Sequence, residues 1–339
     1  SFAIHLFIDA FPSGWMKAIM DVERQPKPAY FAYREALTPL MANLRTDRYV
    51  FFASEEVAVE AWVCNDPDAL PDQAGLGYQL ELNGEVIAAQ RSIADVAKCS
   101  STFQGFLHFR APHVSCRSDL IVRLGLIAKD GQVLHDTSLH LEVFPFVEDG
   151  VRRACVIGSP DSEAARLAVE MNLQTVSAED AQPGDVILLG EVDQGLEDVN
   201  ARVEQGATAV LLGLAPGRYE IAGESVQIVP CGMNPRHFCA RAPGHPLVAD
   251  LKPNDFRFWY DASTDYVTPI LATTLTAPGW TPILTSGNGD WSGKWGPALA
   301  VAEKTHGRGR FIMCQVSLAD RTRHNPVAKL FASRLLGFL

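Results

Sequence analysis

The sequence predicts a multidomain chain. A strand–loop–helix unit at 1–46 is of the kind that ends a (β/α)8 barrel, a TIM-type barrel. An all-β immunoglobulin-like sandwich follows at 47–147, and an α/β domain at 151–339. Three observations carry this reading. An apolar run broken by Pro and Gly leads into a helix-start signal. A stretch of roughly a hundred residues then alternates apolar and polar positions between turn signals. Beyond 151, short apolar runs alternate with helical periodicity, which predicts a mostly parallel, doubly wound sheet.

Composition bounds the function. The chain has 339 residues, 47% hydrophobic and 20% charged, which is ordinary soluble globular material. Its net charge of -11 disfavours non-specific nucleic-acid binding and attachment to anionic lipid. No apolar run approaches the ~20 residues of a membrane span. The Phe2–Phe11 stretch is interrupted by His5 and Asp9 and has no basic region before it, so it does not read as a signal peptide. The seven cysteines are scattered and lack a CxxC pair. That pattern predicts reduced core cysteines in a cytoplasmic protein, with a single disulfide in the middle region as the alternative.

In the first segment, Ile4–Asp9 is a short apolar run ended at Pro12-Ser13-Gly14, the pattern of a buried strand. Pro28 suits a first helical position. Tyr30, Tyr33, Leu37 and Leu40 recur at helical spacing, and Pro39 ends or kinks the helix near Leu37. A lone strand–helix unit of this kind needs neighbours for its apolar face and strand edge.

In the second segment, Val57, Val59, Ala61 and Val63 alternate with Ala58, Glu60 and Trp62. Tyr78, Leu80 and Leu82 lead into Asn83-Gly84, a hairpin turn signal. Leu120, Val122, Leu124 and Leu126 form another alternating strand before Asp130-Gly131. Five to seven such strands predict the sandwich. The Cys…Trp…Cys signature of antibody domains is not evident.

In the third segment, Ala154–Gly158, Asp185–Gly190, Ala207–Leu214, Val226–Val229 and Phe311–Val316 read as strands. Ser159-Pro160 and Asn325-Pro326 read as helix starts, with a further helix at Leu196–Gln205. The stretch 234–304, rich in Pro, Gly and Trp, predicts an antiparallel extension or long loops.

The opening segment resembles the end of the catalytic barrel in glycoside hydrolase family 2, the β-galactosidase-like and β-mannosidase-like enzymes. The resemblance rests on Asp9-Ala10-Phe11-Pro12, then Trp15, then Asp21, then Arg24-Gln25-Pro26-Lys27-Pro28-Ala29-Tyr30. In the family an Asp-Cys-Trp-Pro-like turn follows the eighth strand, and an Arg-Pro-Lys-Pro-x-Tyr-like stretch opens the eighth helix. Here Phe11 replaces the tryptophan, and Trp15 corresponds loosely because the loop spacing differs. The following domains fit by order and type, and Gly307-Arg308-Gly309-Arg310 resembles the turn that ends accessory domains in such enzymes. At fold level the third segment resembles flavodoxin-like and amidotransferase-like domains.

The resemblance implies a parent that hydrolyses O-glycosyl bonds by a retaining mechanism, with two glutamates about 5–5.5 Å apart on earlier barrel strands. Neither position exists in this sequence, so no catalytic residue is assigned. The expected sugar contacts at the site rim are Asp9, Phe11 and Trp15, with barrel-end packing as the other reading for the two aromatics. The loop Thr285–Trp295 adds Trp291 and Trp295, which suit sugar stacking, an interface, or packing on their own domain.

Other features carry less. Gly158–Ser162 lies at a strand-to-helix junction where N–H groups hold anions, but it is neither GxGxxG nor a P-loop. Cys231 and Cys239 near His237 lack a third group and suit a structural role. His108, His113 and Cys116 match no zinc spacing. Glu191 and Asp193 follow a strand end and read as solvated loop acids. No metal and no cofactor are expected. The expected partner is carbohydrate through the parent enzyme, and a homo-oligomer is left open. The alternative function is a free-standing carbohydrate-binding or assembly module.

Overall fold

The computed structural model describes residues 6–10, 18–69, 71, 73–146, 151–182, 184–192, 196–232, 236–289 and 295–337. The protein is mostly β-sheet, in several sheets, with four helices among the described residues. They are α1 (Pro28–Ala36), α2 (Glu163–Glu170), α3 (Leu196–Glu204) and α4 (Pro326–Leu335). None of them is long and apolar enough to cross a membrane. The chain forms two compact units, each continuous in space but not in sequence. One is Ser1–Thr46, Val57–Phe109 and Asp119–Leu141; the other is Asp47–Glu56, Arg110–Ser118 and Glu142–Leu339.

The first unit holds the core of a β-sandwich. Leu40–Arg45, Glu56–Asn65 and Ser100–Arg110 form a three-stranded sheet. Gly75–Leu82 pairs antiparallel with both Glu85–Ile93 and Ser118–Ile127. The alternation read from the sequence sets the inward faces, because side chains along a strand point to opposite sides. Val57, Val59, Ala61 and Val63 are buried, as are Leu120, Val122, Leu124 and Leu126. Asn83 and Gly84 both take positive φ, 50° and 91°, as the two-residue hairpin turn requires.

The opening segment departs from the barrel expectation. Leu6–Ile8 pairs in parallel with Ala18–Met20, a strand lying in what reads as loop. No closed barrel occurs among the described residues, since this pair hydrogen-bonds to no other strand. Leu6, Phe7 and Ile8 are exposed rather than buried. α1 starts at Pro28 as predicted, but none of its residues is buried, so the Tyr30/Tyr33/Leu37 stripe covers no core.

The second unit is built on an eleven-stranded mixed sheet. Its parallel part has the spatial order Gln174–Val176, Arg153–Ile157, Val186–Leu189, Thr208–Leu212, Gly309–Cys314. α2 and α3 connect successive strands of this part. Ile187, Leu189, Ala209 and Leu211 pack with Val199 and Val203 of α3. Leu188 and Val210 belong to a second cluster with Leu167 of α2 and Phe331 of α4.

Strand–helix alternation then stops. Glu224–Pro230, read as one more strand of the parallel series, pairs antiparallel with Gly217–Ile221 and with Thr273–Thr276. The hairpin Thr281–Gly289/Trp295–His306 joins it, and Trp295–His306 runs antiparallel to Gly309–Cys314. The antiparallel extension expected in 234–304 is therefore present. It is inserted before the last parallel strand. The turn Gly307–Gly309 seats that strand: a Cβ on Gly309 would lie 2.1 Å from the Ala207 carbonyl oxygen. Only glycine allows so close a backbone approach.

Candidate functional site

Of the residues behind the family resemblance, Asp9, Asp21 and Arg24–Tyr30 are described, and they form one local hydrogen-bonded piece. Asp9 follows the first strand, and its N–H donates to the Met20 carbonyl at 3.1 Å. Its carboxylate is buried, and Oδ2 accepts from Lys27 Nζ at 2.6 Å. The Lys27 N–H donates to the Ile19 carbonyl at 2.9 Å. Asp21 shapes the turn between them, its Oδ1 accepting from the Gln25 N–H at 2.8 Å, with Arg24 left-handed at φ 63°. The carboxylate of Asp9 is thus committed to the start of α1. Phe11, Trp15, Trp291 and Asp193 lie outside the described residues. Trp295 opens its strand opposite Gly289. Asp9 and Trp295 belong to different units.

Sites in α/β sheets form at the carboxyl ends of the parallel strands. Here that edge is filled by the chain's own side chains. α2 starts later than Ser159-Pro160 suggests, because Ser162 is its N-cap and accepts from the Ala165 N–H at 3.3 Å. Ser162 also fills the space beside two glycines. A Cβ on Gly190 would lie 2.4 Å from Ser162 Cβ, and one on Gly158 3.1 Å from its Oγ. Glu163 points to the loop after the last parallel strand. Its Oε1 accepts from the Leu318 and Ala319 N–H groups at 2.6 and 2.8 Å. Its Oε2 accepts from Arg166 at 3.0 Å. Glu170 continues the strap, accepting from the Arg323 N–H at 3.0 Å and from the Asp320 N–H. The N–H groups of the 318–323 loop are thus satisfied by carboxylates, and at the Gly158–Ser162 junction the Ser162 N–H donates to the Ser159 carbonyl at 3.0 Å. Burial pushes the Glu163 carboxyl above the usual range, and the backbone bonds from Ala319 and Leu318 oppose this.

The cysteines follow burial. All seven are free thiols. Cys155, Cys231, Cys239 and Cys314 are buried, and burial pushes each thiol up. A thiol buried in an apolar core is a poor nucleophile, which suits a structural role for Cys231 and Cys239. Treatment of the native protein with iodoacetamide at pH 8 should alkylate the exposed Cys99 and Cys116 and spare these four. Mass mapping of the labelled peptides checks it.

Among the described residues, each unit carries an open groove. The first, about 650 Å³, is lined by Tyr78, Gln90, Arg91, Arg123 and Asp136 on the sandwich. The second, about 600 Å³, is lined by Gln182, Asp185, Arg202 and Arg308. Asp185 is held there by Arg153 at 3.1 Å. Each groove offers one carboxylate where a glycosidase needs two. Among the described residues no group of His, Cys, Asp and Glu is placed to hold a metal. His108 and Cys116 are exposed rather than convergent.

The outer face of the three-stranded sheet carries a feature the sequence pattern hid. Trp62, Phe103, Phe106 and His108 stand in a row. Successive ring centroids are 5.0, 5.2 and 5.7 Å apart. Trp62 projects there because its neighbours Ala61 and Val63 face the core. Phe103 and Phe106 are three apart and should alternate to opposite faces. Gly105, within the strand Ser100–Arg110, takes φ 104°, and both rings stay exposed, 42% and 53%. A local irregularity of this kind in a strand re-aims side chains. The Trp62 indole N–H donates to Glu60 Oε2 at 2.8 Å, and Glu60 Oε1 accepts from Arg45 at 2.5 Å.

No protein-family model matches the chain, and no curated protein matches it. Among solved structures, it is similar to a Paenibacillus sp. cycloisomaltooligosaccharide glucanotransferase complexed with cycloisomaltoheptaose. Identity is 10% and the TM-score 0.26, over 51% of this chain and 28% of that one. It thus spans less than a third of that enzyme's length. It is also similar to the fibronectin(III)-like modules of Clostridium thermocellum CbhA, at 15% identity and TM-score 0.19, over 31% of this chain and 96% of that one. A third is the CARDB domain of a Pyrococcus furiosus protein in complex with di-metal ions, at 10% identity and TM-score 0.24, over 32% and 94%. At these TM-scores the likeness carries no functional argument.

Proposed function

We propose that this chain is an accessory, non-catalytic region of a carbohydrate-active enzyme resembling glycoside hydrolase family 2. The observation that carries the reading is the buried Asp9–Lys27 ion pair at 2.6 Å. It joins the acidic turn and the Pro-Lys-Pro helix start, the two parts of the motif that resemble the barrel end. In this reading the opening strands and α1 belong to a barrel of the parent. Their exposed residues Leu6, Phe7, Ile8 and Phe31 are the faces that a barrel would cover. The parallel half of the second unit is flavodoxin-like in this reading, with its carboxyl edge given over to structure. Glu163 and Glu170 hold the loop 318–323 there instead of a substrate.

Hydrolysis of a panel of aryl glycosides by the purified chain tests this. No release of the aryl alcohol is expected. Turnover that a point change within the chain abolishes would show that the chain is itself a hydrolase.

A further inference from the structure

We propose that the outer face of the three-stranded sheet is a binding surface for a single, soluble, neutral glycan chain. Trp62, Phe103 and Phe106 form its floor, and Glu60, Arg45 and His108 supply its hydrogen bonds. The inference rests on the carbohydrate-related reading above and adds the place and the ligand class.

Exposed aromatic rings in contact with one another are costly to leave in water, and such patches mark binding surfaces. The alternation of Glu56–Asn65 places Trp62 outward, and the positive φ of Gly105 within the adjacent strand goes with Phe106 lying exposed beside Phe103. Under strict alternation, Phe106 would lie on the opposite face from Phe103. The row therefore depends on a local device that the core does not need.

The polar groups decide what covers the rings. Glu60 lies within the patch, bonded to the Trp62 indole and to Arg45. Its side chain is 21% exposed and that of Arg45 54%. A dry protein surface laid over the patch would strip water from both charges, at a cost of several kcal/mol per ion. A sugar would not. Its ring carbons present C–H bonds to the aromatic faces, and its hydroxyls replace water around the carboxylate and guanidinium. The bond from Glu60 also fixes the Trp62 ring before binding, which reduces the ordering that binding must impose.

The shape narrows the class. Phe103 is tilted 49° to Trp62, and Phe106 lies 75° from Phe103. The floor is therefore stepped, which suits one flexible chain and not the flat face of a crystalline polymer. Glu60 and Arg45 offset each other in charge, and the protein carries a net charge of -11. Both favour a neutral glycan over a polyanionic one.

Calorimetric titration of the full chain with neutral hexasaccharides of glucose, mannose and galactose tests the inference. At least one should bind. Phe106→Ala should weaken it about tenfold, equivalent to about 1.4 kcal/mol. Trp62→Ala should do the same or more, and Glu60→Gln should weaken binding without unfolding. Tyr266→Ala, exposed in the other unit, should leave it unchanged. Phe106 is over half exposed, so its variant should keep the parental Tm. Binding unaffected by Phe106→Ala and Trp62→Ala would overturn the location, as would no heat with any hexasaccharide. Self-association lost in Phe106→Ala, with no sugar bound, would also overturn it by showing a protein occupant. None of these results bears on the non-catalytic reading, which falls only on turnover.

Discussion

Arg117→Ala is expected to destabilise the second unit by about 3–5 kcal/mol, because it leaves a buried carboxylate without its counter-charge. Arg117 Nη1 and Nη2 donate to the two oxygens of Asp255 at 2.8 and 2.6 Å. The Asp255 side chain is only 3% exposed. Arg117 Nε donates to Glu142 Oε1 at 3.1 Å, and Nη2 reaches the other oxygen of that carboxylate. Lys252 Nζ also pairs with Glu142, and the Lys252 N–H donates to Asp255 Oδ2 at 2.8 Å. The guanidinium lies 4.8 Å from the centre of the Phe144 ring. Arg117→Lys keeps the charge but not the planar fork, so an intermediate loss is expected. Burial works to raise the Glu142 carboxyl, but the hydrogen bonds and charges of Arg117 and Lys252 prevail and hold it below the usual range. That contribution is complete above the unfolded carboxylate pKa and is lost as pH falls through the lower folded value. Urea unfolding followed from neutral to acidic pH should therefore show a steeper acid loss in the parent than in Arg117→Ala.

Glu163→Ala is expected to cost about 3 kcal/mol. The N–H groups of Leu318 and Ala319 are in buried residues and would lose their acceptor. Each buried donor left unpaired costs about 1–3 kcal/mol. Glu163→Gln keeps an acceptor oxygen and removes a buried charge, so a loss well under half that size is expected. The pH dependence has the opposite sign to that of Glu142. Burial raises the Glu163 carboxyl in the folded state. Its contribution is complete below the unfolded pKa and fades as pH rises through the raised folded value. Parent stability should fall as pH rises across that interval, and Glu163→Gln should remove that fall. Chemical denaturation at closely spaced pH values checks both.

These two carboxylate networks were not legible in the sequence. Arg117 and Asp255 are 138 positions apart, and Glu163 and Leu318 are 155 apart. Periodicity sees only the face of one element at a time. What it could see, it placed well. The Val57–Val63 alternation and the Leu120–Leu126 strand follow from side-chain period, and the Asn83-Gly84 turn and the start of α4 at Asn325-Pro326 follow from residue type. Val327, Phe331 and Leu335 of α4 are buried. Asn325 shows the limit: it stands at the N-cap of α4, but its side chain bonds Tyr260 and Arg321 instead. The strand Ala18–Met20 was missed because three residues give no period to read. Between 217 and 233 only Val226–Val229 reads as a strand, and its direction is not legible, since an apolar run pairs equally well either way; it pairs antiparallel on both sides. The aromatic row left a partial signal. Trp62 sits on the polar face of a clean alternation, but Phe103 and Phe106, three positions apart, fit no single face by period, and only the positive φ of Gly105 within the strand accounts for it.

The central claim is a carbohydrate-related region without hydrolytic chemistry of its own. It is tested most directly by following the chain with each neutral hexasaccharide in one experiment. Binding is read by calorimetry, and the sugar is then recovered and its length read by mass spectrometry. The account predicts heat of binding that Phe106→Ala reduces, with the sugar recovered at its original length. Shortened products from the parent, absent with a point variant such as Glu163→Gln, would contradict it.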